Sequence, residues 1–488
     1  MNYLLAIDEG TSSTRAMLYS QDGNLVSSCQ RELTQYYPRA GWVEHDPEEI
    51  WSRTLEAIQH VTKDIDKTAI LACGITNQRE TTVMWDKQTG KCISKALVWQ
   101  DRRTDDYCKS ISEYEGLIHQ KTGLKLDPYF SASKVHWLLN QCPEAADLVK
   151  EDRLAFGTID TFLIWRLTGG KAHATDATNA SRTMLYNIFE NEWDDELLAL
   201  FGVPHSILPE VLDSDGQFGT FSSTILGEEI PITGVAGDQQ AALIGQRCYK
   251  KGMMKATYGT GGFLMLNTGD EPVLSKHKLL TTIAYRTKGK VSYGLEGSLY
   301  QAGTTVKWLR DEMKLIRTSA ETESLARSLS SNGGVYLIPS FTGLGAPHWL
   351  STEGALIVGL SRKSSPAHFA RAALESVVYQ TRDVLEAMLD DSGMDLTVLR
   401  VDGGMSENNW FLQYLASQTN LVVQRPTDIE TTALGAALLA GVGCSVFGSL
   451  DELGESWSFE TEFLPEGDRA LFDNDYDGWL KALGLIQA

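Results

Sequence analysis

Two stretches half a chain apart carry the same order of elements. Near the start, AIDEGTSSTRAML runs from an apolar segment through Asp8 into a Gly-Thr turn and on into a second apolar segment. At the head of the second half, MMKATYGTGGFLML does the same around Gly259, Thr260 and Gly261. Short apolar runs bounded by glycine read as strands, so each phrase predicts a β-hairpin with a Gly-Thr tip. A Gly turn that opens into a strand argues against a dinucleotide fold or a P-loop, where the turn opens into a helix, and no GxxxxGK[ST] occurs in the sequence. Aligned on Gly-Thr, the two phrases point to an internal duplication. The expected halves are 1–247 and 248–488, joined in QRCYKKGMMK.

Helical segments alternate with the strands. After the turn QDGN, LVSSCQREL is a third strand candidate. DPEEIWSRTLEAIQHVTKDI has Asp46 as N-cap and Pro47 at the first helical position, with Ile50, Leu55 and Ile58 on one face. A second amphipathic helix opens at Ser365-Pro366. Two α/β halves with a cleft between them as the ligand site are the expectation. The span Thr431–Leu450 carries no charge and is long enough for a membrane helix, but four glycines and several hydroxyls predict a buried helix and loop.

The net charge of −21, from 43 Lys+Arg against 64 Asp+Glu, argues against a nucleic-acid or anionic-membrane binder and leaves room for a local anion site. The 7 cysteines form no CxxC pair, which suits free thiols in a reducing cytoplasm. The 9 histidines form no zinc spacing, and the N-terminus lacks the basic region of a signal peptide.

Four stretches carry candidate chemistry. In the first hairpin, backbone N–H groups of Gly10, Thr11, Ser12 and Ser13 form a candidate anion nest, Arg15 adds charge, and Asp8 is either a turn-forming residue or a carboxylate that could hold Mg²⁺ through water. In ITGVAGDQQAALIGQ, Asp238 is either a helix cap or a general base at a strand end. In GITNQRETTVMWD, Arg79 and Glu80 form either a solvated salt bridge or a donor–acceptor pair for a polyol. Nearby Trp99 is either core or a ligand platform, and the turn before Tyr129 can aim its ring into a cleft. In LRVDGGMSENNW, Gly403 and Gly404 are either a plain βα turn or a nucleotide platform. Gly303 is another small residue just before a helix.

Together these stretches resemble the FGGY carbohydrate kinases, over nearly the whole chain. YFSASKVHWLLNQ and ALIVGLSRKSSPAHFARAALE are similar to the two family signature segments. GWVEHDP, ITNQRE, VWQDRRT, DPYFS, TNASRTML, GVAGDQQAAL, TYGTG, FTGLGAPHW and RVDGG are closer to the members that act on glycerol than to those acting on pentuloses or gluconate. The resemblance implies an α/β fold of duplicated ribonuclease-H-like domains, of the actin and hexokinase ATPase type, with ligands in the interdomain cleft. It implies phosphoryl transfer from MgATP to glycerol. Asp8 would sit near Mg²⁺, and Thr11, Ser12, Ser13 and Arg15 would hold the phosphates. Thr260, Gly303, Gly404 and Asn408 would line the nucleotide site from the second half. Arg79, Glu80, Tyr129, Asp238 and Gln239 would contact glycerol hydroxyls, Trp99 and Phe263 would cover its carbons, and Asp238 would be the base. A homodimer or homotetramer is implied as well. The same-class alternative is a kinase for another polyol or sugar; the different-class alternative is a non-catalytic nucleotide-binding protein of the same fold.

Some positions depart from the family pattern. Glu9 stands where Gln is usual, an extra carboxylate expected beside the phosphates. Lys307 stands where Gln is usual near the nucleotide, either facing phosphates or solvent, and is left outside the expected site. GTFSSTILGEEIPITG lacks the Gly-Gly-Arg loop that binds fructose 1,6-bisphosphate in some members and has Thr224 near the phosphorylated His of others, so neither control is expected.

Overall fold

The computed structural model describes residues 2–350, 354–454 and 457–487. The first half grows from the predicted hairpin. Strands β1 (Tyr3–Glu9) and β2 (Ser13–Ser20) pair antiparallel, from Tyr3 opposite Ser20 to Glu9 opposite Thr14, and β3 (Leu25–Glu32) continues the meander. Helix α1 (Pro47–Thr62) packs on β2 and β3. It starts as its sequence dictates: Asp46 accepts from the Glu48 N–H at 3.0 Å, and Pro47, which has no N–H to lose, opens the first turn. Its inward face is Ile50, Thr54, Ala57, Ile58 and Val61, with Leu55 only half-buried beside it. Strand β4 (Ile70–Asn77) lies parallel to β1; helix α2 (Ser131–Gln141) follows later; β5 (Ile232–Gly237) lies parallel to β4 and runs directly into α3 (Asp238–Gly245). The sheet order is β5-β4-β1-β2-β3.

The second half repeats this plan. Strands β6 (Met254–Tyr258) and β7 (Gly262–Gly269) form the second hairpin, and β8 (Leu280–Thr287) and β9 (Lys290–Leu299) extend it. Helices α4 (Gly303–Asp311), α5 (Glu321–Arg327) and α6 (Pro366–Ser392) lead to β10 (Val398–Asp402), parallel to β6. Then come α7 (Asn409–Thr419), β11 (Val422–Pro426), α8 (Thr431–Gly443) and β12 (Phe459–Phe463). The order is β8-β9-β7-β6-β10-β11-β12. Within it, β9-β7-β6-β10-β11 matches β3-β2-β1-β4-β5: an antiparallel meander, then two strands parallel to its first.

Helix α8 is the charge-free stretch. It does not stay with its own half: it packs on β1, β4, β5 and α3. Glycines allow the approach, since a Cβ on Gly74 would stand 2.0 Å from Ala436 O and one on Gly435 would stand 1.8 Å from Ala241 O. Among the described residues no helix is long and apolar enough to cross a membrane.

Candidate active site

Parallel strands place their carboxyl ends together, and ligands of open α/β sheets bind outside such ends. Here β1 ends at Asp8 and Glu9, β4 leads to Arg79 and Glu80, and β5 leads to Asp238. In the other half β6 ends at the second Gly-Thr tip and β10 at Asp402.

Both tips are closed by a backbone hydrogen bond, spanning three residues in the first and two in the second. Gly10 N–H donates to Ser13 O at 3.0 Å, and Gly259 N–H to Gly261 O at 2.9 Å. The first closure corrects one expectation: the Gly10 amide is engaged, so an anion nest on this turn rests on Thr11, Ser12 and Ser13. Helix α4 docks its start on the second tip. Gly303 N–H donates to Gly259 O at 2.9 Å, and Ala302 and Thr304 N–H donate to Thr260 O at 3.0 and 3.2 Å. Between this tip, α4, α5 and the Gly403-Gly404 turn lies a cavity of about 470 Å³, a size ordinary for small-molecule sites. Thr260, Gly303, Gly404 and Asn408 all line it. Lys307, left outside the site on sequence, lines it too, one helical turn from Gly303.

Toward the first half the site is a buried set of charges. The Arg79 guanidinium makes a two-pronged pair with Glu296 on β9, with Nη2 to Oε1 at 2.9 Å. Its Nε lies 3.2 Å from Asp238 Oδ1. Arg182 Nε donates to Glu80 Oε1 at 2.7 Å, and its Nη2 to Glu296 Oε1 at 3.0 Å. The Arg79, Glu80, Arg182 and Glu296 side chains are at most 2% exposed, whereas Asp238 keeps 32%. Burial alone would raise the Glu296 carboxyl; Arg182 and Arg79 override it and hold it at about 2. The pair Arg79-Glu80 is therefore no solvated surface bridge.

Asp238 does not cap α3 with its side chain; the N-cap is Gly237, and Asp238 Oδ1 accepts from the Gln239 N–H at 2.7 Å. Trp99 is half-buried and donates its indole N–H to Thr11 Oγ1 at 2.8 Å, tying the first hairpin tip to the aromatic wall. Its ring meets Tyr129 edge-on at 5.4 Å. Lys134 on α2 fixes the turn that aims Tyr129, donating to the carbonyls of Pro128, Tyr129 and Phe130. Phe263, at the start of β7, is half-exposed.

Around Asp8 the charges converge. Burial pushes its carboxyl up to about 7; Arg15 opposes this, and Asp238 and Glu430 reinforce it. Arg15 itself is ion-paired with Glu430. Such like charges suit a divalent cation, and Mg²⁺ usually takes one or two carboxylates with phosphate and water oxygens. Among the described residues no group of three or more His, Cys, Asp or Glu forms a cage for a metal ion. Glu9 corrects another expectation. It points to the other side of β1, fully buried, with Thr54 Oγ1 3.4 Å from Oε2. Burial pushes it up to about 8, so it is an uncharged acid at neutral pH and not an extra anion beside phosphates.

A family model described as the FGGY family of carbohydrate kinases, N-terminal domain, matches residues 3–245, and its C-terminal counterpart matches residues 254–444. The chain belongs to the FGGY family of carbohydrate kinases. It is 51% identical to a glycerol kinase of Coxiella burnetii over 99% of this chain and 97% of that protein. It is 51% identical to one of Gluconobacter oxydans over 98% of this chain and 94% of that one. Among solved structures, Plasmodium falciparum glycerol kinase with ADP superposes with a TM-score of 0.93 at 36% identity, covering 100% of this chain and 99% of that one. A ligand-bound xylulose kinase of Lactobacillus acidophilus shares the fold, with a TM-score of 0.90 at 21% identity, covering 100% and 99%. The duplicated α/β ATPase fold expected of an FGGY kinase is the fold observed.

Sequence reading passed over Arg182, Glu296, Lys134 and Lys255. Each stands as one charge in an otherwise small or apolar run: NASRTML, SYGLEGSLY, SASKVHWLL and GMMKATYG. Isolated charges in such runs are the signal that could have found them, because charged side chains are buried only when paired or hydrogen-bonded.

Proposed function

We infer that this chain is a glycerol kinase, transferring the γ-phosphoryl of ATP to a terminal hydroxyl of glycerol to give sn-glycerol 3-phosphate and ADP. The observation that carries the reading is the buried set Arg79, Glu80, Arg182 and Glu296 opening onto a half-exposed Asp238. The 51% identity to glycerol kinases over nearly the whole chain supports it. Glycerol offers only hydroxyls, so a site for it needs fixed donors and acceptors, and analogues that leave these unpaired are rejected.

Arg79 and Glu80 would hold the two non-reacting hydroxyls, with Tyr129 and Gln239 adding contacts and Trp99 and Phe263 covering the carbons. Asp238 would accept the proton of the third hydroxyl as its oxygen bonds to the γ-phosphorus and the bridging bond to ADP breaks. Thr11, Ser12, Ser13 and Arg15 would hold the phosphates from one half. Thr260, Gly303, Gly404 and Asn408 would hold the nucleotide from the other. Mg²⁺, held at Asp8 through water, would neutralise phosphate charge when bound. Positioning and charge neutralisation are most of what phosphoryl transfer requires.

The test is ADP release with MgATP and glycerol beside xylulose, dihydroxyacetone, erythritol and no acceptor. Turnover at least tenfold faster with glycerol is expected. Preference for xylulose or erythritol would replace the substrate and keep the family.

A further inference from the structure

Lys255 on β6 is fully buried, yet among the described residues no carboxylate oxygen comes within 4.0 Å of its Nζ. Its ammonium instead donates to three neutral acceptors: Gln239 Oε1, Thr257 Oγ1 at 3.0 Å and Phe263 O at 3.4 Å. Two of these belong to residues proposed to touch glycerol, and they come from opposite halves of the chain. Asp402, Asp238 and Glu296 act on this buried ammonium only from beyond contact distance and do not offset its burial, so what it holds in place matters.

An ammonium has donors only. Facing it, the Gln239 amide must turn its oxygen inward and its Nε2 hydrogens away, and among the described residues Nε2 has no partner. Gln239 directly follows Asp238. A hydroxyl seated between them would accept from Gln239 Nε2, and its own proton would be left to point at the Asp238 carboxylate. We propose that Lys255 is a positioning residue for the transfer: by holding Gln239 Oε1 it commits that amide to donate, and so aims the proton of the reacting hydroxyl at Asp238. The inference rests on the glycerol kinase reading. The Lys255 contact to Phe263 O fixes the opposite wall in the same motion.

The experiment compares Lys255→Met, Lys255→Gln, Gln239→Leu and the Met/Leu double variant, after wild-type glycerol-dependent ADP release is established; absence of that activity removes the functional reading and this inference together. Lys255→Met is expected to lower kcat/KM for glycerol about 10- to 100-fold, the range of a lost charge-assisted hydrogen bond. KM for ATP stays within about 2-fold. Lys255→Gln, whose amide still donates to Oε1, recovers much of the loss. In the Gln239→Leu background the Met substitution changes the rate by less than about 3-fold, because its partner is gone. Equal losses in both backgrounds, no rescue by Gln, or a parallel rise in KM for ATP would overturn the proposal and leave Lys255 a structural tether. Should Lys255→Met not fold, Gln239→Glu carries the test: its carboxylate pairs with Lys255 and offers substrate acceptors only, so a comparable loss is expected, and near wild-type activity overturns the proposal.

Discussion

Replacing Glu9 by glutamine asks what backs the first hairpin tip. The carboxyl lies in the core between β1 and α1, where the hydroxyls of Thr14 and Thr54, the latter 3.4 Å from Oε2, only partly offset its burial. Burial takes it from 4.5 to about 8 on folding. The folded state therefore keeps a proton that the unfolded chain loses, and the stabilisation is complete below pH 4.5 and gone once the pH passes about 8. At 1.36 kcal/mol per pKa unit, the full span is on the order of 5 kcal/mol, and the part between pH 5.5 and 9 is about 3 kcal/mol. Glutamine has nearly the same shape and does not ionise. Urea unfolding followed by tryptophan fluorescence at pH 5.5, 7 and 9 should show Glu9→Gln gaining about 3 kcal/mol on the wild type across that window. The kinetic constants for ATP should hardly move at pH 7, since an uncharged acid and an amide present the same net charge. Stability curves of the two proteins that run parallel from pH 5.5 to 9 would refute the reasoning.

Gly303→Ala puts a Cβ 2.6 Å from Gly259 O, where backbone must shift. Calorimetry should show nucleotide binding weakened by about tenfold or more, as for a loss of about 1.4 kcal/mol, with KM for glycerol little changed. Trp99→Phe keeps an aromatic ring beside Tyr129 but loses the 2.8 Å bond to Thr11. Steady-state kinetics should show about a 5-fold loss of kcat/KM, as for one hydrogen bond of about 1 kcal/mol. Glu296→Gln removes the anion shared by Arg79 and Arg182. Urea titration should show a loss of about 3–5 kcal/mol, the cost of leaving buried charge unbalanced, together with a raised KM for glycerol.

Features encoded locally were legible in the sequence. The two hairpins, the cap of α1 and the glycine turns each follow from a few adjacent residues. So does the opposite facing of Asp8 and Glu9, because side chains alternate along a strand; placing Glu9 beside the phosphates overlooked that period of two. What the sequence withheld is pairing across distance. Arg79 and Glu296 lie 217 residues apart, and nothing in either neighbourhood names the other. Lys255 and Gln239 are only 16 residues apart, yet they meet only because β6 of one half packs against α3 of the other. Helix α8 was readable as buried, but not as covering the sheet of the other half. Lys307 was readable as a cation near the nucleotide; its place on the cavity wall follows from the docking of α4 on the second tip.

The most direct measurement is glycerol-dependent ADP release by the wild type and by Asp238→Asn, with ATP binding to both followed by calorimetry. If Asp238 is the base in a site built for glycerol, the wild type turns over only with acceptor. The variant then loses about 10²- to 10⁴-fold in kcat while binding ATP as before. Undiminished turnover in Asp238→Asn, or ATP bound by the wild type with no glycerol-dependent release of ADP, would contradict it.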